Sequence, residues 1–213
     1  MYSKAFAQYH AGDGYLVYPA DTVLLMASDD YYDKPEGVTQ AYDMLEKTGL
    51  LKQLQAIEPR RATDAELMSA HSEAYIRKLD ELSRGSGGIV GDLAQVGHGA
   101  LDVIREAVGG DLNALDAVMQ GKVQNAFCLQ RPPGGHAERD CGFGFCIVNN
   151  FNIIVNRARE VYGLKRILIA DFDNHCKKRA SKTPGTTPMK CFTPRSTRRD
   201  PCRKAAAQTA TPI

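Results

Sequence analysis

Arg166-Ile167-Leu168-Ile169-Ala170-Asp171-Phe172-Asp173-Asn174-His175 is a nearly unbroken apolar run that ends in two carboxylates and an imidazole. Such a run fits a parallel strand covered on both faces. Alternation along extended backbone sends Asp171, Asp173 and His175 to one side. An earlier apolar segment, Asn125-Ala126-Phe127-Cys128-Leu129, reads as a second strand. Between the two, residues 149–162 carry Ile153, Ile154 and Ala158 at helical spacing. Strand, loop, helix and strand make a βαβ unit, so the body is expected to be an α/β domain with a parallel sheet. In open α/β sheets the chemistry lies beyond the carboxyl ends of strands, which directs attention to residues 130–144 and 171–175.

Upstream, the pattern predicts helices. Apolar residues at Val38, Tyr42, Leu45, Leu50 and Leu51 suggest one over 36–54. Thr63, three residues before Glu66, has capping-box spacing, and Ser72 opens a further helix through Leu79 and Leu82. Residues 83–91 are glycine-rich and read as a loop. Residues 93–108 read as an amphipathic helix closed by Gly109-Gly110.

The two loops hold the residues of interest. Asp173 and His175 are donor types found in zinc and related divalent sites; equally, Asp and His can simply end a strand and solvate it. In Arg131-Pro132-Pro133-Gly134-Gly135-His136-Ala137, two prolines stiffen the backbone and two glycines allow a tight turn. His136 then reads either as a surface histidine or as a general base for an activated water. The six cysteines show no C-x-x-C spacing and no secretory context, which suggests reduced, packed thiols. His10, His71 and His98 are scattered; His71, just before Ser72, suits a helix entrance. No apolar stretch is long enough for a membrane helix, and the N-terminus has no signal core, so an intracellular, cytoplasmic protein is expected.

Charge divides the chain. The formal net charge of +2 combines a balance of −7 over residues 1–175 with +9 over 176–213, where ten Lys and Arg face Asp200 alone. That second segment is rich in Pro and Thr and holds little apolar surface beyond Met189 and Phe192, so it should be disordered.

Taken together, three stretches resemble the histone deacetylase superfamily, which includes the acetylpolyamine amidohydrolases. They are Arg131-Pro132-Pro133-Gly134-x-His136-Ala137, Gly144-Phe145-Cys146-x-x-Asn149-Asn150 and Asp171-Phe172-Asp173-x-His175. A weaker match runs from Ala62 to Ile76. The resemblance implies a partial arginase-like three-layer α/β fold and zinc-dependent hydrolysis of an acetylated lysine or polyamine. By it Asp173 and His175 hold zinc, Asp171 belongs to a potassium or other monovalent cation site, and His136 is the acid–base histidine. Gly144 and Phe145 line the acyl-lysine channel.

Two departures from the family pattern stand out. The first histidine of the family's pair is Gly135 here. After His175 the chain reads Cys176-Lys177-Lys178-Arg179 where the family continues with another histidine and a glycine-rich turn, and the later Asp ligand and the tyrosine are missing. Codons can be chosen for Lys182 to Asp200 so that a shifted frame reads DAWYDADEVLYASIHTAR, which resembles the family's next strand. Residues 1–175 are therefore expected to be the N-terminal part of a deacetylase-like domain, with 176–213 an out-of-frame basic tail and turnover lost. The alternatives are a non-catalytic pseudoenzyme and a basic-tail nucleic-acid binder, the latter disfavoured because the tail lacks aromatic interleaving. A related two-metal ureohydrolase is disfavoured by the Pro-Pro-Gly-x-His loop.

Overall fold

The computed structural model describes residues 35–171. Asp173, His175 and the basic segment 176–213 lie outside the described residues. Five α-helices are assigned among those residues: α1 Pro35–Lys47, α2 Asp64–Met68, α3 Glu73–Arg84, α4 Ala100–Met119 and α5 Asn150–Glu160. Three short strands accompany them: β1 Gly88–Asp92, β2 Ala94–Val96 and β3 Gly142–Phe143.

Local chemistry sets the helix starts. Thr63 Oγ1 accepts from the Glu66 N–H while the Glu66 carboxylate accepts from the Thr63 N–H, completing the expected capping box. Ser72 caps α3 by accepting from the Tyr75 N–H, and Asn149 caps α5 through the Asn152 N–H. The first expected helix is shorter than its apolar spacing suggested. It stops at Lys47, Gly49 turns left-handed at φ 73°, and a 3-10 turn covers Leu50–Gln53.

The sheet is mixed, in order β2-β1-β3. β1 runs antiparallel to β2, and parallel to β3 with Gly91 opposite Gly142 and Asp92 opposite Phe143. The architecture is thus α/β with a parallel pair, its crossover carried by α4, although the strands are not those expected. Residues 83–91, read as a loop, finish α3 and supply β1. Neither 125–129 nor 166–170 is in a ladder among the described residues; Phe127 is 65% and Leu168 88% exposed. An apolar run signals suitability for a sheet, but a strand also needs a neighbour for its N–H and C=O groups. The expected helix end at Gly109-Gly110 is also corrected, since both glycines lie inside α4.

Leu67, Leu79, Val90, Val96, Ile104, Leu112, Ile147 and Ile153 form the core between the sheet and α2–α5. Tyr75 threads its hydroxyl through this layer to donate to the Ile147 carbonyl at 2.8 Å. Among the described residues, Cys128 and Cys146 are free thiols.

Polar side chains tie α2, α4 and α5 together at their outer ends. Arg60 donates to both Glu66 oxygens, at 2.8 and 2.5 Å, and Arg157 donates to both Asp116 oxygens, at 2.8 and 2.6 Å. The Arg60 hydrogen bonds, with help from Thr63, hold the Glu66 carboxyl at about 2, below its usual 4.5. Because the folded value is the lower one, this stabilisation is complete above about pH 4.5 and is lost as pH falls toward 2. Asp116 is lowered as well, mainly by Arg157, and adds in the same direction. Glu66→Gln should cost about 1.5–3 kcal/mol at neutral pH, the range for hydrogen bonds to charged groups. It should also flatten the acid limb of stability below pH 4.5, as read by urea unfolding across pH; an unchanged acid limb would refute the assignment.

Candidate active site

The loop after residue 130 is held on several sides. Arg131 and Pro132 are buried, and the peptide between them is cis. Asn149, 5% exposed, grips the loop farther on: its Nδ2 donates to the carbonyls of Gly135 at 3.1 Å and Ala137 at 2.8 Å. These two carbonyls flank His136. The next residue, Asn150, packs directly under Gly134, where a Cβ would fall 2.6 Å from the Asn150 Cγ.

Both asparagines are anchored from behind. The Asn149 N–H donates to His71 Nε2 at 2.9 Å, while His71 Nδ1 lies 3.2 Å from the Arg139 carbonyl. An accepting Nε2 puts the proton on Nδ1, so His71 bridges the two segments as a neutral imidazole. Asn150 Nδ2 donates to Asp111 Oδ2 at 2.9 Å, and Gln130 Nε2 donates to the same oxygen at 2.7 Å. Burial raises the Asp111 carboxyl above its ordinary value, while the Gln130 and Asn150 hydrogen bonds pull it back. Burial first, then the neighbouring Asp111, pushes the Cys128 thiol up to about 12. A thiol raised this far stays protonated at neutral pH.

His136 faces a second loop. Its ring stands 6.0 Å from that of Phe143 at 43°, and a Cβ placed on Gly144 would lie 3.6 Å from the His136 Cγ. That loop is stapled to the end of β1: the Gly144 N–H donates to the Asp92 carbonyl at 2.9 Å and the Phe145 N–H to the Leu93 carbonyl at 2.7 Å. Phe145 adopts a left-handed φ of 68° to complete the turn.

Of the residues singled out by sequence, His136 and Gly144 come together, with Phe145 next in the same turn. Asp171 is exposed, which departs from the buried carboxylate that the resemblance implied. Asp173 and His175 lie outside the described residues. Among the described residues, no three His, Cys, Asp or Glu side chains group to hold a metal. Sequence reasoning missed His71, Asn149 and Asp111. Asn149 sat inside a quoted motif and His71 before a helix cap, but the two are 78 residues apart and could not be paired from spacing.

The histone deacetylase domain pattern matches residues 31–176. The chain belongs to the histone deacetylase family. The match ends where the basic segment begins. A histone deacetylase-like amidohydrolase of Pseudomonas aeruginosa is 32% identical over 149 residues, covering 70% of this chain and 39% of that protein. Human polyamine deacetylase HDAC10 is 35% identical over 154 residues, covering 67% and 22% respectively. A probable deacetylase of Archaeoglobus fulgidus is 33% identical over 150 residues, covering 70% and 41%. The histone deacetylase fold is also seen in the similarity to the crystal structure of the HDA15 HD domain, with a TM-score of 0.59 and 25% identity over 62% of this chain and 38% of that one. The matched region thus spans 22–41% of the length of these three curated relatives. Among the described residues, no helix is long and apolar enough to cross a membrane.

Proposed function

We propose that this chain carries the part of a zinc-dependent deacetylase that supplies its acid–base histidine and two metal ligands, acting on the amide of an acetylated lysine or polyamine. The observation that carries this reading is His136, bracketed by carbonyls that Asn149 grips and set against Gly144. The names of the relatives, an amidohydrolase and a polyamine deacetylase, support the substrate class.

Asp173 and His175 are a carboxylate and an imidazole, a donor set that zinc accepts. Asp171, two residues before them, is the donor proposed for a monovalent cation such as potassium. Zinc, when bound, polarises the amide carbonyl and lowers the pKa of the attacking water. The His136 imidazole takes up the proton of that water and passes it to the departing amine nitrogen. Gly144 leaves the wall beside His136 without a side chain, which suits the narrow stem of an acyl-lysine, and Phe145 supplies apolar surface next to it.

The same reading expects turnover at or near background from the 213-residue polypeptide. Its residues 176–213 contain Asp200 as the one acid and no tyrosine, whereas the family pattern calls for both a later aspartate and a tyrosine. We read those residues as an out-of-frame product, which resequencing the codons for 174–178 checks. For the site itself, zinc uptake by the purified polypeptide should fall to background when Asp173→Ala and His175→Ala are combined. Uptake unaffected by that pair would overturn the ligand assignment. Chelator-sensitive hydrolysis of acetyl-lysine or acetylspermidine by the unaltered polypeptide would overturn the expected inactivity.

A further inference from the structure

We infer that Asn149 is a positioning residue for the His136 imidazole, and that His71 holds Asn149 in place. Asn149 stands at a four-way junction. Its Oδ1 accepts from the Asn152 N–H at 3.0 Å and so starts α5, while its Nδ2 donates to the Gly135 and Ala137 carbonyls on either side of His136. Its own N–H is spent on His71 Nε2. Each bond alone is ordinary for a buried amide. Together they transfer the rigidity of α5 and of the segment entering α3 to one residue of a glycine-rich loop.

That loop has reason to need such a clamp. Gly135 sits at φ 123°, and glycine's freedom to adopt many other conformations leaves the loop little stiffness of its own where His136 follows. A general base displaced by an ångström can lose about a hundredfold in rate, so holding the backbone on both sides of His136 bears directly on its work. His71 is 1% exposed and packs its ring 5.3 Å from that of Tyr75, so its acceptor nitrogen is itself held firmly.

The two duties of Asn149 can be separated. Ser is an equally good helix cap, yet it is too short to reach both loop carbonyls. Asn149→Ser should keep the far-UV spectrum of α5. At the same time it should displace and broaden the His136 ring resonances in histidine-labelled protein and raise amide exchange over residues 134–138 about tenfold. His71→Gln offers an amide oxygen to the Asn149 N–H and should keep the His136 resonances in place, whereas His71→Leu should move them. If Asn149→Ser proves unfolded, the His71 pair still decides. Unmoved His136 resonances in a folded Asn149→Ser, or identical spectra for His71→Gln and His71→Leu, would overturn the inference. The importance of the clamp rests on His136 being the acid–base group, but these readouts follow the imidazole and not turnover. A failure here would leave the proposed reaction standing, and the reverse holds too.

Discussion

Gly109→Ala should destabilise the protein by about 3 kcal/mol or more, the upper part of the range for overpacking a well-filled site. The sign is the informative part. In an open helix interior the same change gains up to about 1 kcal/mol, because alanine loses less backbone entropy than glycine. At Gly109 an added Cβ would lie 1.8 Å from the Arg60 carbonyl oxygen, 2.7 Å from its carbon and 2.9 Å from the Ala62 nitrogen. All three are backbone atoms. They cannot retreat cheaply: the Ala62 N–H donates to the Arg105 carbonyl at 2.8 Å, and Arg60 is tied to Glu66 and to Asn113. Gly37 in α1 provides the control, since nothing lies within 4 Å of its added Cβ. Gly37→Ala should therefore be neutral or stabilising in the same denaturant titration. Equal effects at the two positions would mean that residues 60–62 are not docked on α4.

Gly135→His, which would restore the family's paired histidines, should lose about 1–3 kcal/mol, the cost of holding a side-chain-bearing residue in a sparsely populated backbone region. It should also bring no gain in hydrolysis. Gly135 is at φ 123°, and its added Cβ would fall 2.9 Å from Phe151 Cε2. The ring of Phe151 is 37% exposed and has room to swing, so the backbone conformation is the larger obstacle. A double variant tests this division. Gly135→His with Phe151→Ala should recover only a small part of the lost stability; full recovery would place the cost in the ring contact and not in the dihedral. The replacement at 135 is thus more than a missing imidazole, because the loop has settled into a conformation that a histidine resists.

Much of this protein was legible in its order of residues, for a physical reason. Helix starts depend on atoms three residues apart, so Thr63 with Glu66 and Ser72 with Tyr75 announce themselves locally. The family is legible too, because its motifs put chemically demanding residues at fixed spacing in short loops. Tertiary structure decided what spacing cannot carry. Gly109 sits inside a helix where a neighbouring backbone needs the room, although locally Gly109-Gly110 looks like the helix end. Residues 88–92 form a strand because residues 94–96 pair on one side and the distant residues 142–143 arrive on the other. His71 and Asp111 reach Asn149 and Asn150 across 78 and 39 residues of chain. Local backbone geometry is written in neighbours along the sequence, whereas the support of His136 arises only once distant segments share a core.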